Sequence, residues 1–235
     1  MKVLEIKNIS KNFGGVKVLQ DVSFFVNSGE RRAIIGPNGA GKTTLFNIIS
    51  GTLKPNTGEI FLFGENVIKF PPYRRAKLGL ARTFQKNNLF LGLSLLDNIN
   101  LALRINNSSF NSREILKNWD LWNKRKVRVG ELSHGEQRQV ELLLALAQSP
   151  KLIILDEPTA GMSPLETQMI TKMVASLPPE ITILIIEHDM EVVFNLADRI
   201  TVLHYGQILC EGNKQEIKSN QQVKDVYLGS ACEEV

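Results

Sequence analysis

Gly36-Pro37-Asn38-Gly39-Ala40-Gly41-Lys42-Thr43 fits the pattern G-x-x-x-x-G-K-[ST], and its reading decides the fold. The short apolar run Arg31–Ile35 enters it as a buried strand, and a helix is expected from Lys42 to about Ser50, closed by Gly51. Glycines let the backbone curl so that successive amides, through Thr44, point inward at phosphate oxygens, while the helix start adds a favourable dipole. Lys42 supplies a compact positive charge for the β- and γ-phosphates, and the Thr43 hydroxyl is a ligand for Mg²⁺. Strand, loop and helix in this order mark a nucleotide site.

Downstream, strands alternate with helices. Leu152–Asp156 and Ile181–Glu187 read as strands, Ile200–His204 as a third, with helices from Pro164 and from Met190 to Ala197. That alternation implies an α/β protein with a parallel, doubly wound sheet. Upstream, the alternating Val3–Lys7, the β-rich Val22–Val26 and the strand Glu59–Phe63 suit an antiparallel sheet. Between residues 86 and 149 the β-branched runs disappear. A polar stretch, Asn106-Asn107-Ser108-Ser109, interrupts helical segments, and a helix is predicted from Ser133 to Gln148. One domain is expected over 1–235, with an α/β core from 1–85 and 150–235 and a helical insertion at 86–149.

The strand Leu152-Ile153-Ile154-Leu155 ends in Asp156-Glu157, placing two carboxylates where open α/β sheets bind ligands. Asp156 would hold Mg²⁺, directly or through water. Glu157 would orient or deprotonate the water that attacks the terminal phosphate.

Composition bounds the rest. The chain of 235 residues is 43% apolar and 22% charged, a globular balance with room for one substantial domain. No apolar run approaches the roughly 18–20 residues that cross a bilayer. Met1-Lys2-Val3-Leu4-Glu5 meets an acidic residue at once, unlike a secretion signal, and Cys210 and Cys232 have no metal-like spacing. A soluble cytoplasmic domain is expected. The net charge of +4 is unevenly spread: residues 66–96 carry 6 basic and no acidic side chains, residues 129–235 carry 7 and 16. A basic face of this kind meets nucleic acid, an anionic membrane surface, or only solvent.

Leu132-Ser133-His134-Gly135-Glu136-Gln137 completes a set. With Phe13, Gln85, Asp156-Glu157, Thr159-Ala160-Gly161-Met162-Ser163 and His188, it makes nearly the whole chain resemble the ATP-binding cassette (ABC) proteins. The resemblance implies a P-loop NTPase cassette with a RecA-like core, an N-terminal antiparallel β subdomain and a helical subdomain. It also implies ATP and Mg²⁺ as cofactors, and a head-to-tail pair of cassettes, identical or related. Each ATP would lie between one chain's phosphate loop and the other's signature, met by Ser133, Gly135 and Glu136. His134 stands where the family has a second glycine, and Glu136 where it has glutamine. His188 would contact the γ-phosphate, Gln85 the Mg²⁺, and Phe13 would stack on adenine beside Val18, unless Phe13 is simply a core residue. Ser133-x-x-Glu136 and Ser163-Pro164-x-Glu166 are also capping boxes, which need no nucleotide.

Phe13-Gly14-Gly15, Ala81-Arg82-Thr83-Phe84-Gln85 and Gly161-Met162-Ser163-Pro164 resemble cassettes of the branched-chain amino acid, amide and urea uptake group. Leu132–Glu136, Val202-Leu203-His204 and Leu209-Cys210-Glu211-Gly212 resemble the urea-type members. This implies an importer's ATPase subunit on the inner face of the cell membrane, with separate permease subunits and, indirectly, a periplasmic or extracellular solute-binding protein. The basic segment, with Arg74, Arg75 and Lys77, is then expected beneath the permeases. The alternative is a soluble cassette acting on nucleic acid or ribosomes, though such members usually carry two cassettes or long insertions. A guanine reader is approached by Asn213-Lys214-Gln215-Glu216, but with Glu for Asp and past the core strands.

Overall fold

The computed structural model describes residues 1–83, 89–105 and 112–229. Strands β1 (Lys2–Phe13) and β2 (Val16–Asn27) form a long hairpin about Gly14-Gly15, followed by β3 (Arg31–Ile35) and helix α1 (Lys42–Ser50). Then come β4 (Thr57–Leu62), β5 (Glu65–Asn66), α2 (Pro72–Leu78) and β6 (Leu80–Arg82). The helical stretch holds α3 (Leu95–Ile105), α4 (Ser112–Asn118) and α5 (His134–Leu146). The chain continues through β7 (Leu152–Asp156), α6 (Pro164–Ala175), β8 (Thr182–Ile186) and α7 (Met190–Leu196). It closes with β9 (Arg199–His204), β10 (Gln207–Gly212), α8 (Lys214–Ser219) and α9 (Gln221–Gly229).

Two sheets result. The antiparallel one has the order β2-β1-β4-β5, and its inward residues Leu4, Ile6, Ile9, Leu19, Val22, Phe24 and Val26 are buried. Both long strands carry register shifts, so alternation shows in the sequence only in pieces. The second sheet runs β10-β9-β3-β8-β7-β6, parallel throughout except for β10 on β9. Residues of β7 and β8 are buried without exception, as expected of central parallel strands covered on both faces. The register aligns Ile34 with Ile186 and Ile186 with Asp156. Because these strands are parallel, the segments following them emerge at one edge, so Gly36, Glu157 and His188 lie at that edge together.

The helical stretch has its own core of Leu95, Ile99, Leu116, Leu121, Val129, Val140 and Leu143. Helix α5 serves two masters, since Leu142, Ala145 and Leu146 pack on the sheet side. The stretch Asn106–Ser109 lies outside the described residues, as does Cys232.

Two local readings are filled in and one expectation, that for Arg75, changes. Strand β6, only three residues long, gave no periodic signal, yet it closes the edge of the sheet beside β7. Arg75 does not belong to a basic face: it is 2% exposed, and its guanidinium donates to the carbonyls of Ile48 at 2.7 Å, Ile49 at 2.6 Å and Phe70 at 3.1 Å. It thereby satisfies the end of α1, and burial lowers its pKa to about 10. Arg74 and Lys77 stay exposed. Finally, Asn213 is the N-cap of α8, accepting from the amides of Gln215 and Glu216, so the near-match to a guanine reader is a capping box. No helix among the described residues is long and apolar enough to cross a membrane.

Candidate nucleotide site

The loop between β3 and α1 is held from outside by the backbone around Leu203 and Gly206. The Gly206 amide donates to the Ala40 carbonyl at 3.1 Å, and an ideal Cβ on Gly36 would lie 2.1 Å from the Leu203 carbonyl oxygen. Only glycine fits there. Gly39 and Gly41 take positive φ of 78° and 102°, which turn the chain into α1. Gly41 is the cap residue of α1, with no side chain accepting from the first turn and no acidic residue in it. The helix start is thus an uncapped row of amides, with Asn38 and Gly39 exposed at the tip, Pro37 half-buried, Thr43 exposed and Thr44 half-buried. Lys42 is buried, and its ammonium donates to the carbonyls of Gly36 at 2.6 Å and Pro37 at 3.0 Å. Burial lowers its pKa, and the neighbouring Glu157 charge opposes that shift. Lys42 and Glu157 therefore share one electrostatic field although 115 positions separate them.

At the end of β7, Asp156 is fully buried. Its Oδ2 accepts from Arg82 at 2.9 Å, while Oδ1, equally buried, has no hydrogen-bond partner. Arg82 also donates to Asn47 and Ser50 of α1, each at 2.8 Å. Glu157 has a positive φ of 46°, uncommon for a residue with a side chain. Arg138, from α5, donates to the carbonyls of Asp156 at 3.3 Å, Glu157 at 2.9 Å and Pro158 at 3.2 Å, and to Glu141 at 2.6 Å. One planar guanidinium therefore braces the turn that aims Glu157. His188 follows β8 with its ring exposed, next to the fully buried Glu187.

The signature begins α5. Ser133 accepts from the Glu136 amide at 3.3 Å, and the Glu136 carboxylate accepts from the Ser133 amide at 3.1 Å, a complete capping box. Glu136 is also ion-paired with Lys124. Burial pushes its carboxyl up, but the bonds from Lys124 and Ser133 outweigh that and hold it below the ordinary carboxylate range. Glu166 of the second capping box, at the start of α6, lies against Gly135, where an added Cβ would come within 2.7 Å of its Oε1. Phe13 is not a core residue. It stands 49% exposed at the hairpin tip, with Lys11 over its ring at 5.1 Å, and Val18 is half-buried nearby on β2. Gln85 lies outside the described residues.

The ABC transporter family model matches residues 19–160. A probable ABC transporter ATP-binding protein of Azorhizobium caulinodans is 39% identical, covering 94% of this chain and 81% of that one. The chain belongs to the ABC transporter family. As an ABC ATPase cassette it binds ATP with Mg²⁺ and hydrolyses the nucleotide in a reaction coupled to transport. A high-affinity branched-chain amino acid transport ATP-binding protein of Pseudomonas aeruginosa is 34% identical over 97% of this chain and 98% of its own. A lipopolysaccharide export ATP-binding protein of Haemophilus influenzae reaches 33% over the same shares. Among solved structures, an ABC transporter cassette in its ADP conformation superposes with a TM-score of 0.86 at 34% identity, covering 97% and 99% of the two chains. A dimeric bacterial ABC cassette gives 0.78 at 27%, over 89% and 98%.

The cassette's residues fit Mg²⁺. The unpartnered buried Oδ1 of Asp156 is a hard oxygen donor awaiting a cation, and no group of three His, Cys, Asp or Glu side chains among the described residues forms a closed metal cage. Mg²⁺ in nucleotide sites takes one or two carboxylates and leaves the other positions to phosphate and water. Sequence reading missed the roles of Arg82, Arg138 and Glu187. Each bonds a segment far along the chain, Arg82 to Asp156, Arg138 to the carbonyls after β7 and Glu187 to Thr159, so no local pattern announces them.

Proposed function

We propose that this cassette energises uptake of a small polar solute, of the branched-chain amino acid or urea and amide class, through separate permease subunits. The 34% identity to a branched-chain amino acid transport ATP-binding protein, over nearly the full length of both chains, carries this reading. The cassette would work at the inner face of the cell membrane, paired head to tail with an identical or related cassette. A solute-binding protein would deliver the cargo outside. A cleft of about 460 Å³ lined by Tyr73, Lys77, Phe90, Ala102, Leu144 and Gln148 supports the permease contact, since Tyr73 and Phe90 leave apolar rings exposed at its mouth. The basic segment supports it less than expected, because Arg75 and Arg82 turn inward.

In this reading the amides of residues 36–44 and Lys42 grip the β- and γ-phosphates, and Phe13 stacks on the adenine with Val18 beside it. Thr43, Gln85 and Asp156 would hold Mg²⁺, which supplies charge neutralisation on the phosphates when bound. Glu157 orients the attacking water and takes its proton, and His188 steadies the γ-phosphate. Ser133 and Gly135 of the opposing cassette complete the pocket, and Glu136 serves that contact through its hold on Ser133.

Reconstitution with candidate permease subunits of this uptake class tests the assignment. ATP-driven accumulation of leucine or urea in vesicles is expected, with hydrolysis stimulated by the loaded solute-binding protein. The resemblance to a lipopolysaccharide export subunit favours a second reading, export of a lipid-linked cargo. Hydrolysis stimulated by lipopolysaccharide, with no solute uptake, would decide for it.

A further inference from the structure

Among the described residues, Glu187 is the one fully buried carboxylate beside the site to which the proposed hydrolysis gives no task. Its side chain is 0% exposed. Oε1 accepts from the Thr159 amide at 3.1 Å and from the Thr159 hydroxyl, while Oε2 accepts from the His188 amide at 3.0 Å. The same Oε2 lies 3.8 Å from Nδ1 of His188 and 3.5 Å from the Asp189 amide. Asp189 in turn caps α7. One carboxylate thus ties two segments that are 28 positions apart, the loop leaving Glu157 and the turn carrying His188.

A buried charge with this many donors is rigid. It is stable only while every partner stays in place, so displacing one partner is felt by the others. Thr159 opens the loop Thr159–Ser163, which leads to the Ser163 cap of α6 and faces the Gly135 end of α5 through Glu166. Movement of that loop pulls on Thr159, and Thr159 pulls on the carboxylate that fixes the backbone of His188.

We infer that Glu187 is a positioning residue: it joins the Thr159 loop to His188 so that the two move as one unit during ATP hydrolysis. This rests on the reading of His188 as the γ-phosphate contact. Thr159 and Glu187 are both buried, so ATP affinity is expected to be set elsewhere, by the phosphate loop.

The test is turnover and equilibrium nucleotide affinity in Glu187→Gln, Thr159→Val, His188→Ala and the double variant Glu187→Gln/His188→Ala, with thermal unfolding followed alongside. Glutamine keeps the shape of the side chain but cannot accept at both ends. Expected are a kcat about 10-fold lower in Glu187→Gln, an unchanged ATP affinity, and partial loss in Thr159→Val, since sub-ångström misplacement is costly at a reacting centre. The double variant should be no slower than His188→Ala alone, because Glu187 acts through His188. Wild-type turnover in Glu187→Gln overturns the inference, as do losses that multiply in the double variant. Wild-type turnover in His188→Ala instead overturns the reading of His188, and the coupling through it falls for that separate reason.

Discussion

Helices α1 and α5 both begin with amides that can receive an anion, and they are prepared in opposite ways. The start of α1 has glycine at its cap, no side chain accepting from its first turn, and a lysine as its first helical residue. The start of α5 is filled by the chain itself: Ser133 accepts from the Glu136 amide, and the Glu166 carboxylate lies against Gly135. An isolated helix start gains by accepting an anion, whether that anion is phosphate or carboxylate. At α1 the gain is left for the nucleotide. At α5 it is already taken, so a phosphate arriving there exchanges one anion for another and gains less. A chain built this way would hold ATP strongly at its own loop and, in the proposed head-to-tail pair, offer only a weak, reversible contact from the start of α5.

The largest expected effects lie at the open end. Glu157→Gln should lower turnover by about 10²–10⁴-fold, the range for losing a general base, and leave ATP binding intact. Lys42→Ala should weaken binding itself by about 1.5–3 kcal/mol for each charged hydrogen bond lost, read by titration with a fluorescent nucleotide. If Lys42→Ala bound normally while Ser133→Ala did not, the assignment of the two helix starts would have to be exchanged.

Within the loop, two glycines separate steric need from conformational need. Gly36→Ala places a Cβ against the Leu203 carbonyl, a backbone contact that cannot yield, so stability should fall by about 3 kcal/mol and nucleotide binding with it. Gly39→Ala meets no atom within 4 Å and has only its φ of 78° to disturb, which costs about 1–2 kcal/mol. Thermal unfolding of the two variants distinguishes them. Equal losses would mean that the Leu203 contact does not brace the loop.

Where chemistry demands consecutive residues, the chain can be read directly. The phosphate loop, the span Lys42–Ser50 and the strand Leu152–Asp156 were legible because glycine spacing and four aliphatics before two acids are local facts. What stayed hidden is non-local. Arg75 looks like any other charge between Arg74 and Lys77, and only the fold carries it under the end of α1. Arg138 stands five residues past Ser133 with nothing to mark it, because its partners are carbonyls of another strand's end. Three residues of β6 cannot display a period, although they set Arg82 beside Asp156. The start of α5 was legible as a cap, and its sequence cannot say that Glu166 stands against Gly135.

A smaller effect probes the filled end. Ser133→Ala and Ser163→Ala each remove an N-cap acceptor and should cost about 1 kcal/mol of stability. The two should differ in nucleotide-driven pairing of cassettes, measured by light scattering with ATP in the Glu157→Gln background. Ser133→Ala is expected to weaken it, whereas Ser163→Ala should leave the signature amides in place.

Acid gives the smallest effect and the most specific one. The Glu166 carboxyl is held below the ordinary range by bonds from the Ser163 side chain, the Ser163 amide and the Gly135 amide. A carboxyl lowered in the folded state adds stability above its unfolded pKa of about 4.3, and that contribution disappears as pH falls through the folded value. Thermal unfolding of the parent protein and of Glu166→Gln should therefore differ near neutral pH and converge on acidification. Glu136, lowered by Lys124 and Ser133, should follow the same course in Glu136→Gln. Salt separates the two, because the Lys124 pair of Glu136 is exposed on its lysine side and is screened, whereas the bonds to Glu166 from the Ser163 amide and hydroxyl carry no second full charge. A smaller difference between Glu136→Gln and the parent in high salt at neutral pH, with that of Glu166→Gln unchanged, would show that the two capping carboxylates are held by different physics, one partly through an ion pair and one through its cap alone.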